Sequence, residues 1–271
     1  MEELHQKAAY LYCVVRTCPL DQPPVTGIET TIPVCFEPLE DFVAVYSMVA
    51  LDMFVGAAAE ERMKDVAWIG PRALRHDQVI VSMMKESAVY PARFATMFSS
   101  LESLRKNLRL NARLISDFLD HTDHTCEYSV KGFVNRKDIS EFLIRTTFKD
   151  EKKRLDALSP GKKYLAERQY TKKIENETRE WIKKTSGALL DCLTEKYREF
   201  SPRKIFTEKT DKNETEMVFN CAFLLHKNDE TSFLEETARE KERLAPTGLS
   251  LALSGPWPPY SFCKTTPGEG L

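Results

Sequence analysis

Imidazole, carboxylate and thiolate side chains crowd into one stretch of this chain, Asp120-His121-Thr122-Asp123-His124-Thr125-Cys126. These are zinc-ligand types, and seven residues place them within reach of one ion. Closed zinc sites draw on two separated pieces of chain, however, and His5, His76 and His226 stand singly elsewhere. The stretch is expected to be a polar linker between domains, not a metal site. His76-Asp77 pairs two groups of an acid–base relay, yet it falls in a helical pattern without a third group to orient it. Nucleophilic and phosphate chemistry find less support. No G-x-S-x-G turn, P-loop or G-x-G-x-x-G occurs, and ten glycines in 271 residues leave no phosphate-cradling loop. No catalytic residue, cofactor or small-molecule substrate is expected.

Docking is the chemistry the chain does advertise. Near the C-terminus it runs Leu253-Ser254-Gly255-Pro256-Trp257-Pro258-Pro259-Tyr260-Ser261-Phe262. Three prolines and a glycine in ten residues exclude a helix interior and a central strand. Trp257, Tyr260 and Phe262 carry rings that bury roughly 150–250 Å² each. A stiff aromatic segment of this kind suits docking, onto the chain's own surface or onto a partner. Arg93, between Pro91 and Phe94, is a second candidate, a planar cation suited to pairing a carboxylate or stacking on a ring. Arg93, Phe94, Trp257, Tyr260 and Phe262 are the candidate partner-binding residues, with core organisation as the alternative role.

The elements that must position these residues follow from composition and periodicity. A hydrophobic fraction of 42% with 30% charged residues describes a globular chain long enough for one or two domains. A net charge of −2 supplies no field toward nucleic acid or anionic lipid. Phe42–Ala59, the most apolar stretch, is interrupted by Ser47, Asp52 and Gly56, so no membrane span is expected. Met1–Lys7 has two glutamates and no apolar run, which argues against a secretory signal. Seven cysteines without paired spacing point to reduced thiols and a cytoplasmic location.

Tyr10–Arg16 and Asp41–Val49 have strand character, separated by a proline-rich loop from Cys18 to Pro38. Helix is expected around Asp52–Asp65, and Pro71 is expected to open the next helix. Tyr90–Phe98 reads as extended. Ser99 and Glu102 form a capping-box pattern ahead of one long helix lined by Leu101, Leu104, Leu108, Ile115 and Phe118. These pieces make a first α+β domain over residues 1–121. Residues 122–271 make the second: a strand at Cys126–Asn135, helix from Lys137 to about Tyr197 broken at Ser159-Pro160-Gly161, strands at Arg203–Glu208 and Glu214–Leu225, a helix capped by Ser232 and Glu235, and a closing strand Leu249–Leu253. The order β-α-β-β-α-β is that of a ferredoxin-like unit with a long helical insertion, followed by the extended proline/aromatic tail. Within the insertion, residues 149–184 hold twelve basic and seven acidic residues. Mixed signs at three- and four-residue offsets describe a solvated face first, a protein-docking surface second and a nucleic-acid groove last.

Five blocks in sequence order resemble the gas vesicle protein F/L family. They are Tyr10-Leu11-Tyr12-Cys13-Val14-Val15, the segment Tyr90-Pro91-Ala92-Arg93-Phe94-Ala95-Thr96-Met97-Phe98, Glu127-Tyr128-Ser129-Val130-Lys131, Ser159-Pro160-Gly161-Lys162-Lys163-Tyr164-Leu165, and the tail. Cys13 and Ala95 stand where the family pattern has glycine. The resemblance implies two α+β domains, the second ferredoxin-like. It also implies a non-enzymatic accessory role in the gas vesicle, binding the hydrophobic shell protein or other accessory proteins. A cytosolic enzyme or ligand-binding protein on a ferredoxin-like fold is the alternative reading.

Overall fold

Lys7–Val15 forms strand β1, and every residue after Lys7 is buried, as in a strand covered on both faces. The computed structural model describes residues 6–16, 26–193, 197–205 and 215–263. Around β1 stand β2 (Cys35–Pro38), β3 (Val43–Ala50), β4 (Val89–Pro91) and β5 (Met97–Phe98). The sheet order is β2-β3-β1-β4, with β5 also paired to β1, and all these pairs are antiparallel. Register slips between Leu11 and Cys13, a bulge that swaps the alternation of faces. Before it Tyr10 and Tyr12 enter one core, and after it Cys13 and Val15 enter the same core. Ala9, Leu11 and Val14 enter the other.

The helices follow from this two-sided burial. After the short α1 (Ala57–Arg62), α2 (Val66–Met84) presents Val79, Ile80 and Met83 to the tyrosine face. The opposite face receives Leu104 and Leu108 of α3 (Leu101–Leu110), with Ile115, Phe118 and Leu119 of α4 (Ala112–His121).

Several boundaries differ from the sequence expectation. Pro71 lies inside α2, because the Asp65 carboxylate accepts from the Ala67 N–H at 2.9 Å and starts the helix earlier. The capping box is Ser100 with Ser103, each backbone N–H donating to the other's hydroxyl at 3.1 Å, since Phe98 is engaged in β5. The single long helix is two, broken at Asn111, whose amide folds back onto the Asn107 carbonyl at 2.9 Å. Cys35–Pro38, expected in a loop, adds an edge strand to β3; residues 17–25 of that loop lie outside the described part. Tyr90–Phe98 is not continuously extended, for Thr96 N–H bonds the Arg93 carbonyl at 3.1 Å in a turn between β4 and β5.

The second sheet contains β6 (Thr125–Asn135), β7 (Glu199–Pro202), β8 (Thr215–His226) and β9 (Leu249–Trp257), in the order β7-β8-β6-β9. Helices α5 (Arg136–Thr146), α6 (Lys149–Asp156) and α7 (Pro160–Leu193) connect β6 to β7, and α8 (Glu230–Leu244) connects β8 to β9. Gly132 in β6 is required by close approach, since a Cβ there would lie 2.2 Å from the Phe219 ring.

The insertion has a break at Thr147–Phe148 beyond the one expected at residues 159–161. The strand expected at 203–208 lies earlier, at Glu199–Pro202, and residues 206–214 fall outside the described part. Helix α8 begins at Glu230, before Ser232, because a short 3-10 turn at Lys227–Asp229 leads into it. Strand β9 continues past Leu253 through Pro256. As an edge strand it needs no ladder bond from that proline.

The chain groups into two units, Met1–Cys126 with Trp257–Leu271, and Glu127–Pro256. Chain order had grouped the whole tail with the second half; from Trp257 on it groups with the first unit, while Leu253–Pro256 stay with the second.

Candidate functional site

Two tyrosines at i and i+2 of β1 place their hydroxyls in the core beside α2. The Ala95 N–H donates to Tyr10 Oη at 3.3 Å, and Tyr10 donates to His76 Nδ1 at 2.8 Å. His76 Nε2–H then donates to the Ala92 carbonyl at 3.1 Å, which fixes the tautomer. A parallel relay runs from Ile28 N–H to Tyr12 Oη at 2.6 Å, on to Ser47 Oγ at 2.9 Å, and ends on the Pro33 carbonyl at 2.8 Å. Burial lowers the His76 pKa below the ordinary 6.5, against weaker upward pulls from the Ala92 bond and Asp77. Tyr10 is raised, again chiefly by burial. A neutral imidazole that is 1% exposed, with both nitrogens engaged, holds the fold together and is sealed from substrate.

Phe94 packs onto this cluster, edge-on to Tyr10, Phe54 and His76 at ring distances of 6.4, 6.0 and 5.8 Å. It is half-buried. Its neighbour Arg93 is exposed and has no ion pair among the described residues.

The tail docks here. Tyr260 donates to Asp77 Oδ1 at 3.0 Å, and its own pKa is raised by burial and by that carboxylate. Its ring packs against the tyrosine-side core, whereas Phe262 and Cys263 pack against the core on the opposite face of the sheet. The segment 260–263 therefore wraps the sheet edge at β4, a covered edge of the kind that prevents unwanted strand pairing. A cavity of about 110 Å³ remains under it, lined among others by Leu11, Pro91, Arg93, Asn107 and Tyr260. Trp257 stays 42% exposed.

The potential zinc stretch does not converge. Asp120 pairs with Arg16, His124 contacts its neighbour Asp123 at 3.4 Å, and Cys126 is buried in β6. Three potential ligands do meet elsewhere among the described residues, at Cys192, Glu236 and Glu240. There the thiol donates to Glu236 Oε1 at 3.2 Å, and that bond raises its pKa. Both carboxylates are already paired, with Arg239 at 3.2 Å and Arg243 at 2.6 Å. The group is a protonated thiol among ion pairs. No disulfide joins the described cysteines.

Sequence reasoning missed the Tyr10–His76–Ala92 and Tyr12–Ser47 relays. Their signal was present, since two tyrosines in a buried strand must find partners for both hydroxyls.

Comparison with known proteins places this geometry. Residues 8–264 match the family described as gas vesicle synthesis protein GvpL/GvpF. Gas vesicle protein L1 of Halobacterium salinarum is 28% identical over 107 residues, a stretch covering 38% of this chain and 36% of that protein. The chain thus spans about a third of that relative's length in the match. The crystal structure of gas vesicle protein GvpF from Anabaena sp. PCC7120 superposes with a TM-score of 0.70 at 16% identity, covering 96% of this chain and 97% of that one. GvpF from Microcystis aeruginosa gives 0.68 at 16% identity, covering 95% and 99%. The chain belongs to the GvpL/GvpF family of gas vesicle proteins.

Proposed function

We propose that this protein is a non-enzymatic assembly or minor structural component of the gas vesicle. It binds the hydrophobic shell protein, or other accessory proteins, while the vesicle forms in the cytoplasm. The observation that carries this reading is the family match over residues 8–264. The site chemistry supports it: the titratable groups of the first core are consumed by structural hydrogen bonds, while Arg93 and Trp257 are exposed. An exposed guanidinium and indole are side chains enriched at protein interfaces. Among the described residues, no helix is long and apolar enough to cross a membrane. Arg93, Phe94, Trp257, Tyr260 and Phe262 are the residues proposed to present or shape the binding face.

Pairwise binding of the purified chain to the shell protein and to each other protein of its gene cluster tests the reading. At least one saturable complex is expected. Absence of any complex, together with stoichiometric zinc or nucleotide in chelator-free protein, would overturn it.

A further inference from the structure

The α6–α7 hairpin carries a second surface, distinct in chemistry from the tail. At the turn, Leu158, Tyr164 and Leu165 are 38%, 71% and 65% exposed. Behind it, Leu155, Tyr170 and Ile174 pack with Phe148 and Ala166, so the hairpin has its own small core. Between the two helices runs a groove of about 360 Å³, lined by Leu155, Leu158, Ala166 and Tyr170 and rimmed by Gln169, Arg154 and the ion pair of Lys173 with Glu151.

Two independent features say what the groove accepts. Tyr170 is only 8% exposed, and its buried hydroxyl has no hydrogen-bond partner. Native structures rarely leave such a group unmatched, and an orphan donor on a groove wall marks the place of an absent acceptor. The second feature is charge. Residues 149–173 hold nine cations and four carboxylates. Glu151, Asp156 and Glu167 are engaged by Lys173, Lys152 and Lys163. Lys149, Lys153, Arg154, Lys162, Arg168 and Lys172 have no carboxylate partner among the described residues; Arg154 lines the groove and the other five stand along the two helices that flank it.

We propose that this groove docks an acidic amphipathic segment of another gas vesicle protein. Its apolar side chains lie on Leu155 and Leu158, its carboxylates face the unpaired cations, and one of its oxygens accepts from Tyr170. Charge complementarity selects this occupant. A second copy of the hairpin would bring like charges together across a two-fold axis. An anionic membrane offers no single acceptor that reaches a buried hydroxyl in a concave groove. The proposal rests on the vesicle-assembly reading for the identity of the partner, and on the groove alone for its chemistry.

Two synthetic peptides with the same leucine face, one flanked by glutamates and one by lysines, test it by fluorescence anisotropy with the full chain. The glutamate peptide is expected to bind about tenfold or more tighter, with affinity falling as salt rises. Tyr170→Phe should weaken that binding while leaving the melting temperature unchanged or higher, because an orphan hydroxyl has been removed. Arg154→Glu, at the groove rim, should weaken it at least tenfold, and Lys162→Glu with Arg168→Glu, farther along the same helix pair, should weaken it further. Equal binding of the two peptides, indifference to these substitutions, or binding of phosphatidylglycerol vesicles in place of the peptide would overturn the proposal. The peptides read the groove without any vesicle protein. Their failure therefore leaves the assembly role standing, and failure of pairwise vesicle-protein binding leaves the peptide result standing.

Discussion

His76 links protonation to folding in the first unit. Its pKa is lowered by burial, so its stabilising contribution is complete above about 6.5 and is lost as pH falls from there toward the folded value. Protonation would also remove the acceptor used by Tyr10. The melting temperature should therefore fall between about pH 7 and about pH 5, and His76→Gln should flatten that slope. Equal slopes in both proteins would assign the pH dependence to other groups. Ala95 supplies a second prediction. Its φ of 64° is in the left-handed region, where a Cβ costs roughly 1–2 kcal/mol. Ala95→Gly should stabilise the protein by about 0.5–1 kcal/mol in chemical denaturation, and a loss of stability would show that the methyl's packing outweighs the backbone strain. The resemblance had already marked this position, along with Cys13, as one where glycine is usual. Cys13 proves different, lying beside the β1 bulge with its side chain fully buried in the tyrosine-side core. Nothing in the sequence separated the two cases, because backbone conformation is set by the pairing of strands far apart in the chain.

The tail is the element whose energetics matter most for the candidate site. Tyr260→Phe deletes one hydrogen bond to Asp77 and should cost about 1 kcal/mol. Phe94→Ala removes a ring only partly buried, so about 2 kcal/mol is expected, below the roughly 3–5 kcal/mol of a fully buried phenylalanine. A melting temperature unchanged by Phe94→Ala would move that ring from fold to partner contact. Strand identity was legible where β-branched and aromatic residues run together, as at Tyr10–Val15 and Cys126–Asn135. Boundaries were less legible where a cap competed with a stronger signal: Asp65 outranks Pro71, and Ser100 outranks Ser99 because Phe98 is claimed by the sheet. The tail's stiffness could be read from its prolines. Its destination at the β4 edge could not, since that depends on a surface built by residues far earlier in the chain, such as Asp77, 183 positions before Tyr260, and Pro91, 172 before Cys263.

At the scale of the whole molecule, a fold shared with GvpF structures at a TM-score of 0.70 coexists with 16% identity. Few individual residues therefore dictate the architecture, while in this chain a β1 strand buried on both faces and the element order β-α-β-β-α-β of the second half are carried by pattern. That is why the α+β class could be read from periodicity, whereas the relay of Tyr10, His76 and Ala92 had to be seen. The proposed role is likewise a property of the whole chain, because the titratable groups of the first core are spent on holding the fold. Vesicle yield in a host carrying the complete gas vesicle gene cluster, with this chain's coding sequence deleted and then restored, tests that role most directly. Deletion should abolish or sharply reduce buoyant vesicles, with full recovery on returning the wild type and poor recovery with Trp257→Ala plus Tyr260→Ala. Normal vesicle yield in the deletion strain would contradict the account.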